Sequence, residues 1–362
     1  MNFDELLIGA RNVKASDIHL MEDWSPFLRI NGDLKKVDIT PLNRQEMKDI
    51  ITRMMPHHLL RELESQRGCD FSFQLAGEVR FRCVAYYAAG KLGVAMRLIL
   101  PSIPSIEDLE LPDVLHAIAR NPRGLVLMTG MTGSGKTTTL AAMIDYINTI
   151  ESLRIITIED PIEYVYANKK SVISQREVGK DVPDFNVALR QIMRMDPDVI
   201  LVGEMRDAET IKVAIKAAET GHLVLSTLHT TSAVHTVQRI FGYFPESEHE
   251  LLREQLALNL KASITQRLLK RQDGNSRIAA CEIMVVNATV SKLIMDNRIP
   301  DIFSVIKGRD DGMVTFDQAL ADLVRSHKVT MEEGSNYCED FYAYKRHIAG
   351  IQSTGDRGAI IC

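Results

Sequence analysis

The stretch "GLVLMTGMTGSGKTTTLAAMIDYINT" (residues 124–149) decides the fold. It opens with an apolar run of strand length, turns through a glycine-rich loop and continues at helical spacing. Leu140, Met143, Ile144, Ile147 and Ile150 form one stripe of that helix. The loop, Gly130-Met-Thr-Gly-Ser-Gly135-Lys136-Thr137, fits GxxxxGK[ST] without a mismatch. Strand, loop and helix follow in the order that a phosphate cradle needs. The glycines let successive backbone N–H groups turn inward around phosphate oxygens, and the helix aims its N-terminus at the same anion. Thr132, Gly133, Ser134, Gly135, Lys136, Thr137 and Thr138 are the expected nucleotide contacts. Lys136 would reach the β- and γ-phosphates, and the Thr137 hydroxyl would hold Mg²⁺.

Outward from this element the same texture recurs. "RIITIED" (154–160), "DVILVGE" (198–204) and "HLVLSTLHT" (222–230) are near-continuous apolar runs separated by helical patterns. Such runs predict strands buried on both faces, hence a parallel sheet flanked by helices. Asp207 is the expected N-cap of the helix "AETIKVAIKAAET", and Gly221 its terminator. Ligands of such sheets bind at the carboxyl ends of the strands, where these runs place their polar residues.

Those strand ends carry the chemistry. Glu204 closes "DVILVGE" and would reach Mg²⁺ directly or through water. Many P-loop proteins use Asp there. Glu159, Asp160 and Glu163 cluster in "TIEDPIEY", and hydrolysis needs a group to orient or deprotonate water. Spacing does not select among the three acids. His222 and His229 sit at the two ends of one strand, with His229 toward the phosphate site. A histidine so placed is more often structural than catalytic, and spacing does not compel a sensing role.

The first hundred residues differ in pattern. "PFLRINGDLKKV" (26–37) reads as a hairpin about Asn31-Gly32. In "GEVRFRCVAYYAAGKLGVAMRLIL" (77–100), Val79, Phe81, Cys83 and Ala85 alternate with Arg80, Arg82, Val84 and Tyr86. "NRQEMKDIITRMMPHHLLRELES" (43–65) has helical spacing. Together they predict a small α+β domain with an antiparallel sheet over residues 1–100. Arg82 and Arg97 lie on polar faces of neighbouring strands: a solvated face, or a pair of arginine fingers. Residues 101–110, within the proline-bearing "LPSIPSIEDLELPD", form a linker. The nucleotide-binding core follows over 111–275, then a mostly helical region over 276–350, including the amphipathic "TFDQALADLVRSH" (315–327). Residues 351–362 read as a loose tail.

Composition bounds the partners. The 362-residue length argues for about two domains. A formal net charge of −5, with no long Lys/Arg run, argues against nucleic-acid binding. The five cysteines form no CxxC pair, which excludes a zinc clamp of that spacing and suits reduced thiols in a cytoplasmic protein. The N-terminus is not a signal peptide, and no apolar run approaches the ~20 residues that cross a bilayer. A soluble protein without direct membrane insertion is expected.

Jointly, "GMTGSGKTTT", "TIEDPIEY", "QREVG", "DPDVILVGEMRDAETI" and "AETGHLVLSTLHTTSA" resemble the secretion-type ATPase superfamily, and within it the PilT/PilU family of type IV pilus retraction motors. "SDIHL", "LRINGDL", "RFRCVAYY" and "AMRLIL" resemble that family's PAS-like domain, and the similarity runs to about residue 345. The resemblance implies an α/β fold: a PAS-like N-terminal domain, a RecA-like P-loop NTPase domain and a C-terminal helical segment. It implies a homohexamer that hydrolyses ATP with Mg²⁺ and acts on an inner-membrane platform protein at a pilus base, from the cytoplasmic side. Carried over, Glu163 is the water-activating base, Glu204 the Walker B glutamate and His229 the residue sensing the nucleotide, while Arg82 and Arg97 reach phosphates when the domains close. The four-cysteine zinc motif of extension motors is absent. Where principal retraction motors carry an "AIRNLI"-like motif, this chain reads "ATVSKLI" (288–294). An independent motor and an accessory one beside a second retraction ATPase both remain open on sequence.

Overall fold

The computed structural model describes residues 2–13, 15–30, 32–75, 79–99, 103–274 and 276–351. The expected hairpin residue Asn31, the start of the segment at Gly77, the first linker residues and the tail from 352 onward lie outside the described residues. The chain divides into two compact units. The first is Met1–Ser102 together with Glu163–Val165, and the second is Ile103–Ile162 with Tyr166–Cys362.

In the first unit the order is α1 (Phe3–Asn12), β1 (Asp17–Met21), β2 (Phe27–Ile30), β3 (Asp33–Lys36), α2 (Arg44–Met54), α3 (His57–Gln66), β4 (Gly68–Leu75), β5 (Val79–Ala88) and β6 (Lys91–Ile99). The strands form an antiparallel sheet in the order β3-β2-β1-β6-β5-β4. Ile30 pairs with Asp33, so the β2–β3 hairpin closes through two residues, with Gly32 at φ +94° as such a turn requires. The alternation read in the sequence is the sheet's polarity: Phe81, Cys83 and Ala85 are fully buried against Leu7, Met47 and Met96 in one core. Arg82 and Arg97 lie on the opposite face as register partners. Asn43 caps α2 through a reciprocal capping box with Glu46.

The second unit runs α4 (Val114–Ala119), β7 (Gly124–Thr129), α5 (Lys136–Ile150), β8 (Arg154–Glu159), β9 (Val172–Glu177), α6 (Phe185–Ile192), β10 (Val199–Val202), α7 (Ala208–Glu219), β11 (Leu223–Leu228), α8 (Ala233–Phe241), α9 (His249–Asn259), β12 (Leu260–Lys270), β13 (Arg277–Val285), α10 (Ala288–Met295), α11 (Ile302–Lys307), α12 (Phe316–Arg325), α13 (Met331–Ser335) and α14 (Phe341–Ile348). Its sheet has the order β13-β12-β7-β11-β10-β8-β9, parallel throughout except for the antiparallel β12–β13 pair. Every residue of β7, β10 and β11 is buried, which is why their sequences are continuous rather than alternating. Asp207 caps α7 by accepting from Thr210 N at 2.8 Å, and Gly221 follows that helix at φ +106°.

One boundary needs correction. The expected passage into a helical region at residue 276 falls inside the β12–β13 hairpin, whose strands belong to the nucleotide-binding sheet. β13 is an edge strand with a long apolar run, "RIAACEIMV", a pattern that periodicity alone does not separate from a helix. The helices proper begin at α10. On the hairpin's outer end, Leu269, Ile278, Phe316, Leu320 and Tyr344 form a separate small core that seats α12 and α14.

Candidate active site

The P-loop leaves the carboxyl end of the interior strand β7, which lies between β12 and β11. Gly130, Gly133 and Gly135 have φ of +137°, +79° and +88°, so the chain turns through conformations that side chains rarely adopt. At Gly130 a Cβ would also stand 2.4 Å from the Gln266 carbonyl oxygen, and at Gly135 2.7 Å from Gln266 Nε2. At Gly133 nothing lies within 4 Å, which leaves that side of the loop open. Lys136, 8% exposed, donates from Nζ to the Gly130 and Met131 carbonyls at 2.8 and 3.0 Å. Ser134 Oγ is buried with no hydrogen-bond partner among the described residues. A buried hydroxyl of this kind calls for a ligand group.

The loop is braced from β12. Gln266, 2% exposed, donates from Nε2 to the Ser134 carbonyl at 2.8 Å and accepts from Thr139 Oγ1 at 2.8 Å. Beside it Thr129 and Thr265 hydroxyls meet at 2.8 Å and lock the end of β7 to β12. Sequence reasoning missed Gln266, because its partners lie 132 and 127 residues away in the chain.

The second half of the site sits at the ends of β10 and β11. The ladder extends past the strands: Gly203 N donates to Ile158 O at 2.8 Å, Thr227 Oγ1 to Gly203 O at 2.6 Å, and Met205 N to Thr227 O at 3.1 Å. This brings Glu204 beside His229, with Glu204 Oε1 3.2 Å from His229 Nε2. Glu204 Oε2 also accepts from Arg206 Nε at 2.8 Å, and the same guanidinium stands 3.7 Å from Asp160. The hydrogen bond to Glu204 and its charge hold the Arg206 guanidinium above its ordinary range despite partial burial. Arg206 is a second residue that sequence reasoning did not single out. His222 is at the other end of β11, where Nδ1 lies 2.8 Å from the Ala217 carbonyl, a tie within the α7–β11 connection.

The three acids of "TIEDPIEY" separate by environment. Glu159 is buried and accepts from Thr157 Oγ1 at 2.7 Å and Gln175 Nε2 at 3.0 Å. A carboxylate so engaged holds the strand end and is poorly placed to take a proton from water. Asp160 faces Arg206. Glu163 is half-buried and is grouped with the first unit, where its Oε1 stands 4.0 Å from Arg82 Nη1. In the same unit Arg97 Nε is 3.0 Å from Asp17 Oδ1, a carboxylate that also pairs with Arg29 at 3.7 Å. Asp17 lies between Arg29 and Arg97 in register, so one transverse row of the sheet carries Arg29, Asp17, Arg97 and Arg82.

The donor set suits a nucleotide. It has a backbone cradle with positive-φ glycines, one lysine, an unpartnered buried hydroxyl and the N-terminus of a 15-residue helix. Among the described residues no group of three or more His, Cys, Asp or Glu is placed to hold a metal ion. Together, the P-loop strand inside a parallel sheet and a carboxylate–histidine pair at the ends of β10 and β11 define a P-loop nucleoside-triphosphatase.

Comparison with known proteins narrows the class. Residues 4–349 match the family model of Type II/IV secretion system protein. The chain is 45% identical over 316 residues to a twitching motility protein of Neisseria gonorrhoeae, covering 86% of this chain and 84% of that one. It is 41% identical over 333 residues to the type IV pilus retraction ATPase PilT of Pseudomonas aeruginosa, covering 92% and 96%. The crystal structure of the pilus retraction motor PilT with bound ADP superposes with a TM-score of 0.89 at 40% identity, covering 96% of this chain and 99% of that one. The chain belongs to the Type II/IV secretion system protein family of ATPases, in its PilT branch. Its two-part α/β architecture is the one expected from sequence. Among the described residues no helix is long and apolar enough to cross a membrane.

Proposed function

We propose that this chain is the subunit of a homohexameric motor that hydrolyses ATP to ADP and phosphate and drives type IV pilus retraction. The observation that carries the reading is the Glu204–His229 contact of 3.2 Å at the strand ends beside the P-loop. A nucleotide-dependent scaffold needs only the phosphate cradle. The carboxylate–imidazole pair adds a group that touches the metal side and one that can follow the γ-phosphate. In this reading Lys136 and the loop amides bind the phosphates, with Thr132, Gly133, Ser134, Gly135, Thr137 and Thr138 around them. Thr137 and Glu204 hold Mg²⁺, which supplies charge neutralisation when bound.

Glu163 is the base that takes the proton from the attacking water. Of the three acids in "TIEDPIEY", Glu159 is committed to Thr157 and Gln175 and Asp160 faces Arg206, which supports Glu163. Arg82 and Arg97 are the phosphate-reaching arginines, released from carboxylates when nucleotide arrives, and fingers of this kind contribute about 10³–10⁵ in rate. The resulting movement of the first domain acts, from the cytoplasmic side, on a platform protein of the inner membrane.

Deleting the gene tests the output: surface pili should accumulate and twitching should stop. Loss of pili would instead point to an assembly motor of the same superfamily. Retraction with this gene as the sole retraction ATPase would make the motor principal; no retraction without a second ATPase would make it accessory, as "ATVSKLI" on α10 allows.

A further inference from the structure

Alternation along β12 sends Gln266 and Arg267 to opposite faces. Gln266 braces the P-loop. Arg267 reaches the other way, to the connection between His229 and α8. Its Nη2 donates to the Thr231 carbonyl at 3.4 Å and stands 3.1 Å from Glu339 Oε1, while Nη1 donates to the Tyr337 carbonyl at 2.8 Å. The guanidinium is stacked 4.0 Å from the Phe316 ring centroid, which fixes its plane. On the paired strand, Glu282 is 1% exposed and accepts from Ala233 N, the first amide of α8, at 2.6 Å. Its second oxygen is buried, and the Phe316 backbone amide is the other hydrogen-bonding group that faces the carboxyl. A carboxyl group is expensive to bury in this way.

Five residues therefore span from His229 to Ala233, and side chains of one hairpin hold them at Thr231 and Ala233. Thr230 and Thr236 hydroxyls close the same turn at 2.6 Å. The guanidinium that holds Thr231 also holds residues 337 and 339, which precede α14. Asp317 fixes that turn again by accepting from the Glu339 and Asp340 amides at 2.7 and 2.9 Å.

We propose that Arg267 and Glu282 are positioning residues for His229, clamping the segment between it and α8 and tying that segment to the C-terminal turn at 337–339. Displacing the C-terminal turn then changes how His229 is aimed at Glu204, which gives the C-terminal helices a route to the hydrolytic site. The inference rests on the assignment of His229 to turnover.

The test is steady-state ATP hydrolysis by the full-length protein, with ADP affinity and melting temperature measured alongside. Glu282→Leu and Arg267→Met should lower kcat about tenfold while KM for ATP stays within about twofold, because the clamp acts on His229 and not on the phosphate cradle. Glu282→Gln keeps an acceptor for the Ala233 amide and should retain wild-type kcat. Glu339 is part-exposed, so Glu339→Gln folds irrespective of the clamp and should lower kcat about two- to threefold through the weakened Arg267 contact. Wild-type kcat in both Glu339→Gln and Arg267→Lys would overturn the proposal, as would a loss in which KM rises as much as kcat falls. If the two apolar variants fail to fold, Glu339→Gln and Arg267→Lys decide. His229→Ala separates the two levels: wild-type kcat there removes the parent assignment, whereas loss in His229→Ala with normal Arg267 and Glu339 variants removes only the clamp.

Discussion

The two halves of the nucleotide site are built differently. The P-loop is backbone, glycine and buried side chains: Gly130 and Gly135 have no room for a Cβ, and Lys136, Ser134 and Gln266 are all nearly inaccessible. The Glu204–Arg206–His229–Asp160 cluster is made of partly exposed side chains, with contacts from 2.8 to 3.7 Å. The first arrangement is rigid before any ligand arrives. The second is held by ion pairs that water screens and that are individually worth little, so its groups can exchange partners at small cost. A closely packed grip beside a cluster held by screened ion pairs suits an enzyme whose turnover is coupled to motion.

Lys136→Ala breaks the rigid half most severely. It removes the tie to the Gly130 and Met131 carbonyls and, in the proposed reading, a charge-assisted contact to the phosphates. ADP affinity should fall about 100-fold, with hydrolysis undetectable, and titration calorimetry reads the first while a phosphate-release assay reads the second. Gln266→Met preserves volume but deletes both hydrogen bonds of the brace. At about 1 kcal/mol each, part of it appearing as lost stability, nucleotide affinity should weaken about tenfold. Unchanged affinity would show that the loop holds its shape without β12.

A third effect, read on stability rather than on turnover, is a pH dependence in the β12–β13 hairpin. Burial, reinforced by the negative charge of Glu339 and opposed by the Ala233 amide and by Arg267, pushes the Glu282 carboxyl up to about 7. A carboxyl that binds its proton more tightly folded than unfolded stabilises the protein fully below its unfolded value, and loses that contribution as pH rises through 7. The full span is about 3 kcal/mol as an upper bound. The melting temperature of the wild type should therefore decline by several degrees between pH 5 and pH 8 relative to Glu282→Gln. Parallel melting curves for the two proteins would remove Glu282 as the titrating group.

The rigid half was the more legible in sequence. A glycine loop between a strand and a helix is a local object, and so are the N-cap Asp207 and the terminator Gly221. The continuous runs of β7, β8, β10 and β11 announced the parallel sheet because burial on both faces leaves no alternation to misread. Gln266, Arg206, Arg267 and Glu282 were not legible, since each acts on residues brought close only by the fold; Glu282 meets the Ala233 amide across 49 residues of chain. β13 was lost inside a region read as helical because an apolar edge strand without clear alternation has no period of its own. Of the three acids in "TIEDPIEY", only three-dimensional environment distinguishes the buried, doubly bonded Glu159 from the half-buried Glu163.

The division into a rigid grip and a mobile hydrolytic cluster is tested most directly by Glu204→Gln, with ADP affinity and kcat measured on the same preparation. The substitution keeps the side-chain volume and removes the charge that faces His229 and Arg206 and that, in the proposed reading, would face Mg²⁺. Hydrolysis should fall about 100-fold or more while ADP affinity stays within about threefold of the wild type. Affinity and kcat falling together by the same factor would contradict the account, because Glu204 would then belong to the grip.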